Sequence, residues 1–259
     1  MPILTQIIVC LVAGMGAGLG TGFAGMSAAA VIAPILTTFL KIDAYDAVGI
    51  ALASDVLASG ASALTYKKHG NIDVRDGALM MATVLIFTMI GSWASSLLPS
   101  TTMGSFSVVM TALLGIRFII RPVMTTKEKM HGSRGTKRTI LSAISGCAVG
   151  FICGFVGAGG GIMMLLVLTT ILGFELKTAV GTSVFIMTFT ALTGSISHFM
   201  LEGMPDVTPL ILCVLFTLIF ARIGARIANK IPAKTPNRAT GVLLVVLGIV
   251  IITVNTLSK

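Results

Sequence analysis

The sequence predicts an all-α integral membrane protein made of two inverted-topology repeats of about five helical segments each, with Gly-broken or re-entrant helices. Three observations carry that expectation. Hydrophobic residues make up 55% of the chain and charged residues only 10%, against about 25% charged in a soluble domain. A water-facing fold of this size cannot be covered with so little polar material. The apolar stretches are continuous and do not alternate at period two, which favours helices over a membrane barrel. Short motifs also recur, in order, about half a chain apart.

The apolar segments fall at about 3–20, 23–40, 47–66, 77–98, 103–120, 139–156, 158–174, 178–200, 207–229 and 238–256. GFAG at 22–25 matches GFVG at 154–157, and AVG at 47–49 matches AVG at 179–181, both at an offset of 132. IG at 90–91, Pro99 and LGI at 114–116 then match IG at 223–224, Pro232 and LGI at 247–249 at an offset of 133. Ordered matches at nearly constant offset mark an internal repeat. Residues 1–121 form the first membrane repeat, 122–138 a basic cytoplasmic linker and 139–259 the second repeat.

The net charge of +9 reflects orientation rather than nucleic-acid binding, because the basic residues cluster between apolar segments. If each segment changes side, all 18 Lys and Arg except Lys41 and Lys259 fall on one face. Merging segments one with two and six with seven weakens that split, so the positive-inside bias favours the first arrangement. Both termini then face outward, and an odd number of crossings per repeat inverts the second copy, as in many secondary transporters. Cys10, Cys147, Cys153 and Cys213 lie in apolar segments without metal-ligand spacing. The N-terminus MPILTQIIVC has no basic n-region, so no cleaved signal is expected.

Two tracts, Met1–Leu40 and Thr139–Phe174, carry no charge. As one helix the second would measure about 54 Å, against a hydrocarbon core of about 30 Å. Each is therefore expected to be two short or partial helices joined at its glycines. Backbone broken inside a membrane must be satisfied by protein or by a water-filled cavity, and the helix after the break begins with free N–H groups at its positive end. Gly22, Gly25 and Ser27, with Gly154, Gly157, Gly159, Gly160 and Gly161, are thus candidate anion-binding positions. Inverted symmetry could bring the two sets together near mid-membrane. Glycines four apart, such as Gly14, Gly18 and Gly22 or Gly150 and Gly154, also permit close helix packing, and both readings can hold. GTGFAG at 20–25 fits a dinucleotide fingerprint, but no βαβ context surrounds it.

Asp55 lies inside segment three, where an ionisable group is expensive and usually functional. It could bind a proton or Na⁺, pair with a buried cation such as Arg222, or serve a structural hydrogen bond. Its repeat counterpart is Met187. Ser54, Ser59 and Ser62 share a sector of the same segment, and Thr182 and Ser183 open segment eight. Such hydroxyls can donate to an anion or bond back to their own helix. His198, near the outer end of segment eight, could gate or carry protons. Arg226 is expected to snorkel, while the deeper Arg222 could draw anions inward.

GFVGAGGG at 154–161, AVGTS at 179–183, GSISH at 194–198 and the paired layout together resemble the TauE/SafE family of sulfite and organosulfonate exporters, over about residues 5–256. The first half carries GFAGMSAAA and AVGIALASD at the matching places. The resemblance implies outward transport of small sulfur anions such as sulfite, sulfoacetate or related organosulfonates across a bacterial inner membrane, without a cofactor or metal. A small anion, the bilayer and a second copy of the chain are the expected partners. An anion channel is the alternative. Membrane potential alone supplies about 2.3 kcal/mol per 100 mV for one anion leaving, so energetics do not demand proton coupling. His69, His131 and His198 and the acids form no catalytic motif, and an enzyme is not expected. A reporter that fluoresces only in the cytoplasm should stay dark when fused to either terminus. Bright fusions would reverse the assigned orientation.

Overall fold

The computed structural model describes residues 2–96, 136–156 and 160–232, with a few isolated positions beyond. The expected segments at 103–120 and 238–256, most of the linker, and Gly157 and Gly159 lie outside the described residues. The elements described are α1 (Ile3–Ala24), α2 (Ala29–Ile35) continued by a π-helical segment (Leu36–Leu40), α3 (Ala44–Lys68), α4 (Val74–Ser96), α5 (Thr136–Val156), α6 (Gly160–Thr170), α7 (Leu176–Glu202) and α8 (Val207–Lys230). All are helical, and no strand occurs among the described residues. Ile3–Ala24, Tyr45–Lys68, Val74–Gly91, Leu176–Met200 and Val207–Lys230 are each long and apolar enough to cross a bilayer.

The helix starts follow from local acidic residues. Asp43 accepts from the Tyr45 amide at 2.9 Å, Glu175 from the Thr178 amide at 3.0 Å and Asp206 from the Thr208 amide at 3.0 Å. Asp73 accepts from the Asp76 amide at 3.2 Å, closing the start of α4. Each carboxylate satisfies an otherwise orphaned N–H and meets the positive helix end. Lys67 and Lys68 occupy the last turn of α3 and Lys230 that of α8, at the negative ends.

The first uncharged tract breaks at Gly25 and Ser27 of the expected stretch, with Gly22 still helical. α1 runs through Gly14, Gly16, Gly18, Gly20 and Gly22 without interruption. At 22 residues it spans about 33 Å, a full crossing rather than a partial one. It ends at Gly25, whose φ of 63° is left-handed and whose N–H bonds the Thr21 carbonyl at 2.9 Å. That conformation is why glycine stands at this position. The chain then doubles back, placing Val31 against Gly16. The returning arm has 7 residues of α-helix and 5 of π-helix, too few for a bilayer. Its widening to π geometry follows Pro34, which cannot supply a helical N–H.

Small residues set the packing. A Cβ on Gly14 would meet Phe216 and Thr217, one on Gly18 would meet Thr217, Phe220 and Ala221, and one on Gly22 would meet Ala221, Gly224 and Ala225. α1 and α8 therefore run parallel with their backbones nearly touching. In the same way Gly146 lies against Met80 and Thr83 and Gly150 against Val84 and Phe87, so α4 and α5 run parallel. α3 and α7 are antiparallel: Tyr45 meets His198, Leu52 meets Gly194, Ser59 meets Thr188 and Tyr66 meets Gly181. At one end of the bundle, Asn71 Nδ2 donates to Asn229 Oδ1 at 2.6 Å, and Lys177 Nζ donates to the Asn229 carbonyl at 2.9 Å. These bonds tie the α3–α4 and α6–α7 connections to the end of α8.

Gly18→Ala should destabilise the protein by about 1–3 kcal/mol, because the added carbon meets α8 backbone that cannot yield. Gly60→Ala meets only Thr188 Cγ2 at 3.5 Å and should be neutral or stabilising by up to about 1 kcal/mol. Thermal unfolding in detergent compares the two, and equal effects would remove close packing as the reason for the glycine row.

Candidate functional site

Asp55 lies near the midpoint of α3 with 1% of its surface exposed. Its Oδ2 accepts a hydrogen bond from Ser27 Oγ at 2.8 Å, and the Ala28 amide also faces the carboxylate. Ser27 and Ala28 belong to the break between α1 and α2. The break is thus held by a carboxylate from another helix. Asp55 Oδ1, equally buried, has no hydrogen-bond partner among the described residues. Asp55 pairs with Ser27 and not with Arg222, which is exposed on α8.

The remaining polar groups of the break are accounted for within the protein. Thr21 Oγ1 lies 2.8 Å from the Met26 carbonyl and 2.9 Å from the Ala17 carbonyl. The Met26 amide donates to the Gly20 carbonyl at 3.3 Å. The Ala29 amide donates to Ser27 Oγ at 3.3 Å and the Ala30 amide to the Ser27 carbonyl at 3.2 Å. The early amides of α2, expected to be free for an anion, are therefore taken by Ser27 and by the Asp55 carboxylate.

The second glycine-rich segment reaches the same place. Gly161, in the first turn of α6, is buried. A Cβ there would collide with the Gly25 carbonyl and Met187 Sδ and would lie 3.1 Å from the Ser27 amide. Ser183 Oγ of α7 covers Gly25. Gly25, Ser27, Asp55, Gly161, Ser183 and Met187 thus form one cluster between the α3–α7 pair and the two interrupted tracts. Met187 stands beside the first turn of α6 as Asp55 stands beside the start of α2, so among the described residues a carboxylate meets the first of these helix starts and a thioether the second.

Other expected positions separate from this cluster. Gly22 is filled on its open side by α8 backbone, which makes it a packing residue, and its carbonyl accepts from Tyr66 Oη at 2.9 Å. Gly154 lies in α5 and Gly160 begins α6, while Gly157 and Gly159 lie outside the described residues. Ser54 Oγ donates to the Ile50 carbonyl at 2.8 Å, Ser59 Oγ to the Asp55 carbonyl, and Ser183 Oγ to the Val180 carbonyl at 2.9 Å. Those three follow the back-bonding expected of hydroxyls in apolar helices. Thr182 Oγ1 accepts from the Asp73 amide at 3.1 Å, joining α7 to the start of α4. His198 stacks on Tyr45 with ring centroids 4.1 Å apart, about 15 Å along α3 from Asp55. Its Nδ1 is buried without a partner among the described residues.

Tyr66 is a buried tie to the interrupted tract that sequence reasoning missed. It is buried to 1% exposure and links α3 to the last turns of α1. Its signal was a tyrosine, one of two in the chain, one residue before the Lys67–Lys68 pair. Among the described residues no group of three His, Cys, Asp or Glu side chains is placed to hold a metal.

Thr182→Val should cost about 1 kcal/mol by removing the hydrogen bond that joins α7 to the start of α4, read as a lower unfolding temperature. An unchanged temperature would return the hydroxyl to the ligand candidates.

The comparisons with known proteins agree with a membrane transporter. Two proteins of Bacillus subtilis (strain 168) are similar to this chain. The probable membrane transporter protein YunE is 26% identical over 221 residues, covering 78% of this chain and 80% of the relative. The probable membrane transporter protein YdhB is 26% identical over 201 residues, covering 77% and 81%. No solved structure matches. The family described as sulfite exporter TauE/SafE matches residues 10–251. With its apolar helices of bilayer length, this chain is a multi-pass membrane protein and belongs to the sulfite exporter TauE/SafE family.

Proposed function

We propose that this protein is a secondary transporter that exports small sulfur-containing anions, sulfite, sulfoacetate or a related organosulfonate, across a bacterial inner membrane. The observation that carries the reading is the meeting of the two interrupted tracts, Gly161 against Gly25 and Ser27, beside Asp55. Broken helices that meet inside a bundle are where secondary carriers hold their ligands. The anion sits at the start of α6, with Ser27 and Ser183 as neighbouring hydroxyls. The sulfur chemistry is supported by the family alone.

The reciprocal packing supports reading the halves as inverted repeats. α1 pairs with α8 and α5 with α4 through glycines at equivalent positions, and the equivalent helices α3 and α7 are antiparallel. The linker and the Lys67–Lys68 end are cytoplasmic and both termini periplasmic in this scheme, with a homodimer as the assembly. Rearrangement of the two halves about the central contact supplies alternating access.

Proteoliposomes loaded with labelled sulfite, sulfoacetate or sulfate test the proposal. Saturable release of the sulfur anions is expected, and Gly161→Ala should remove most of it by forcing the two tracts apart while helical content is retained. Conductance without saturation would make the protein a channel, and release no faster than from empty liposomes would refute transport of these anions.

A further inference from the structure

Asp55 presents a physical conflict with the cargo. The donors an incoming anion needs at the central contact, the Ser27 hydroxyl and the Ala28 amide, are held by the carboxylate of the chain itself. Two anions cannot share those donors, and their charges repel at this separation in a medium with little screening. A proton on Asp55 removes both obstacles. It cancels the charge, and it lets the Ser27 hydroxyl turn from Asp55 Oδ2 to the cargo. Oδ1, buried and unpartnered among the described residues, is the atom open to that proton.

We propose that the cargo anion binds together with one proton, carried by Asp55, so that a monoanion and its proton cross as a neutral pair. This rests on the transporter reading above and names its coupling ion. The step balances simply: one proton adds to Asp55 Oδ1 as the anion accepts from Ser27 Oγ, and both are released on the far side. Export of such a monoanion then runs on the anion and proton concentration gradients together and gains nothing from membrane potential.

The surroundings single out this carboxylate. Of the elements packed on α3, the arm 29–40 has no ionisable group and α1 has only Cys10. α7 carries Lys177, His198 and Glu202, all at its ends. α8 carries Cys213 and the exposed Arg222, Arg226 and Lys230. On α3 itself Tyr45, Asp46, Tyr66, Lys67 and Lys68 occupy the terminal turns. At the level of the central contact, Asp55 is the one ionisable side chain among the described residues.

The test is equilibrium binding of ethanesulfonate, a monoanion at every pH used, to the purified full-length protein. Affinity is measured against pH at constant potassium and against sodium at constant pH, with proton uptake read in weak buffer. Wild-type affinity should rise towards acid by up to about tenfold per pH unit, with about one proton taken up per anion bound. Asp55→Asn should bind equally well at all pH and take up no proton. A flat wild-type profile, a slope retained in Asp55→Asn, or dependence on sodium in place of pH overturns the coupling and leaves the carrier standing. Absence of ethanesulfonate binding at any pH overturns both readings. If Asp55→Asn does not fold, Asp55→Glu decides: a moved carboxylate should shift the midpoint of the acid-side gain while keeping one proton taken up per anion, and a profile identical to wild type overturns the proposal.

Discussion

Between Gly25 and Ala28 the backbone leaves the helix inside a bundle that offers little water, and each freed polar group must find a partner in the protein. Thr21, the Gly20 carbonyl, Ser27 and the Asp55 carboxylate supply those partners. Asp55 comes from a separate helix, so the break is stable only when α3 stands beside it. An aspartate in such surroundings is costly unless it is bonded, and the break supplies the bonds. Carboxylate and break therefore stabilise each other, and removing either leaves the other with unsatisfied groups.

That mutual dependence explains why close packing surrounds the site. Gly161 can lie over the Gly25 carbonyl because it has no side chain, and Ser183 fits over Gly25 for the same reason. Further out, the glycine rows of α1 and α5 bring α8 and α4 into backbone contact. Apolar side chains gain nothing from meeting each other in lipid, so helix contacts there depend on van der Waals fit and on interhelical hydrogen bonds. The Tyr66 bond to the Gly22 carbonyl and the Asp73–Thr182 bond are of the second kind.

The two interrupted tracts meet different chemistry. Asp55 faces the first interruption, while Met187 lies against Gly161 at the start of α6. One half thus carries the charge that must be managed, and the other presents an uncharged helix start. An equivalent second half would carry a carboxylate where Met187 stands. The single carboxylate breaks that equivalence at the point where the interrupted tracts meet.

Much of the fold was legible in the residues. Low charge and continuous apolar runs determined a helical membrane protein, and uncharged tracts too long for one crossing and short of two determined interrupted helices. Glycine spacing signalled close packing, and Asp55 stood out as a charge where charge is expensive. Tertiary structure decided the rest. It placed the first break at Gly25–Ala28 and after Gly22, because α8 fills the open sides of Gly14, Gly18 and Gly22 and keeps them helical. It gave Asp55 to Ser27, left Arg222 exposed and used Thr182 as a tie between helices. One-dimensional patterns specify which groups need partners. Which group meets which is a matter of distance between segments far apart in the chain, and only the packed bundle sets those distances.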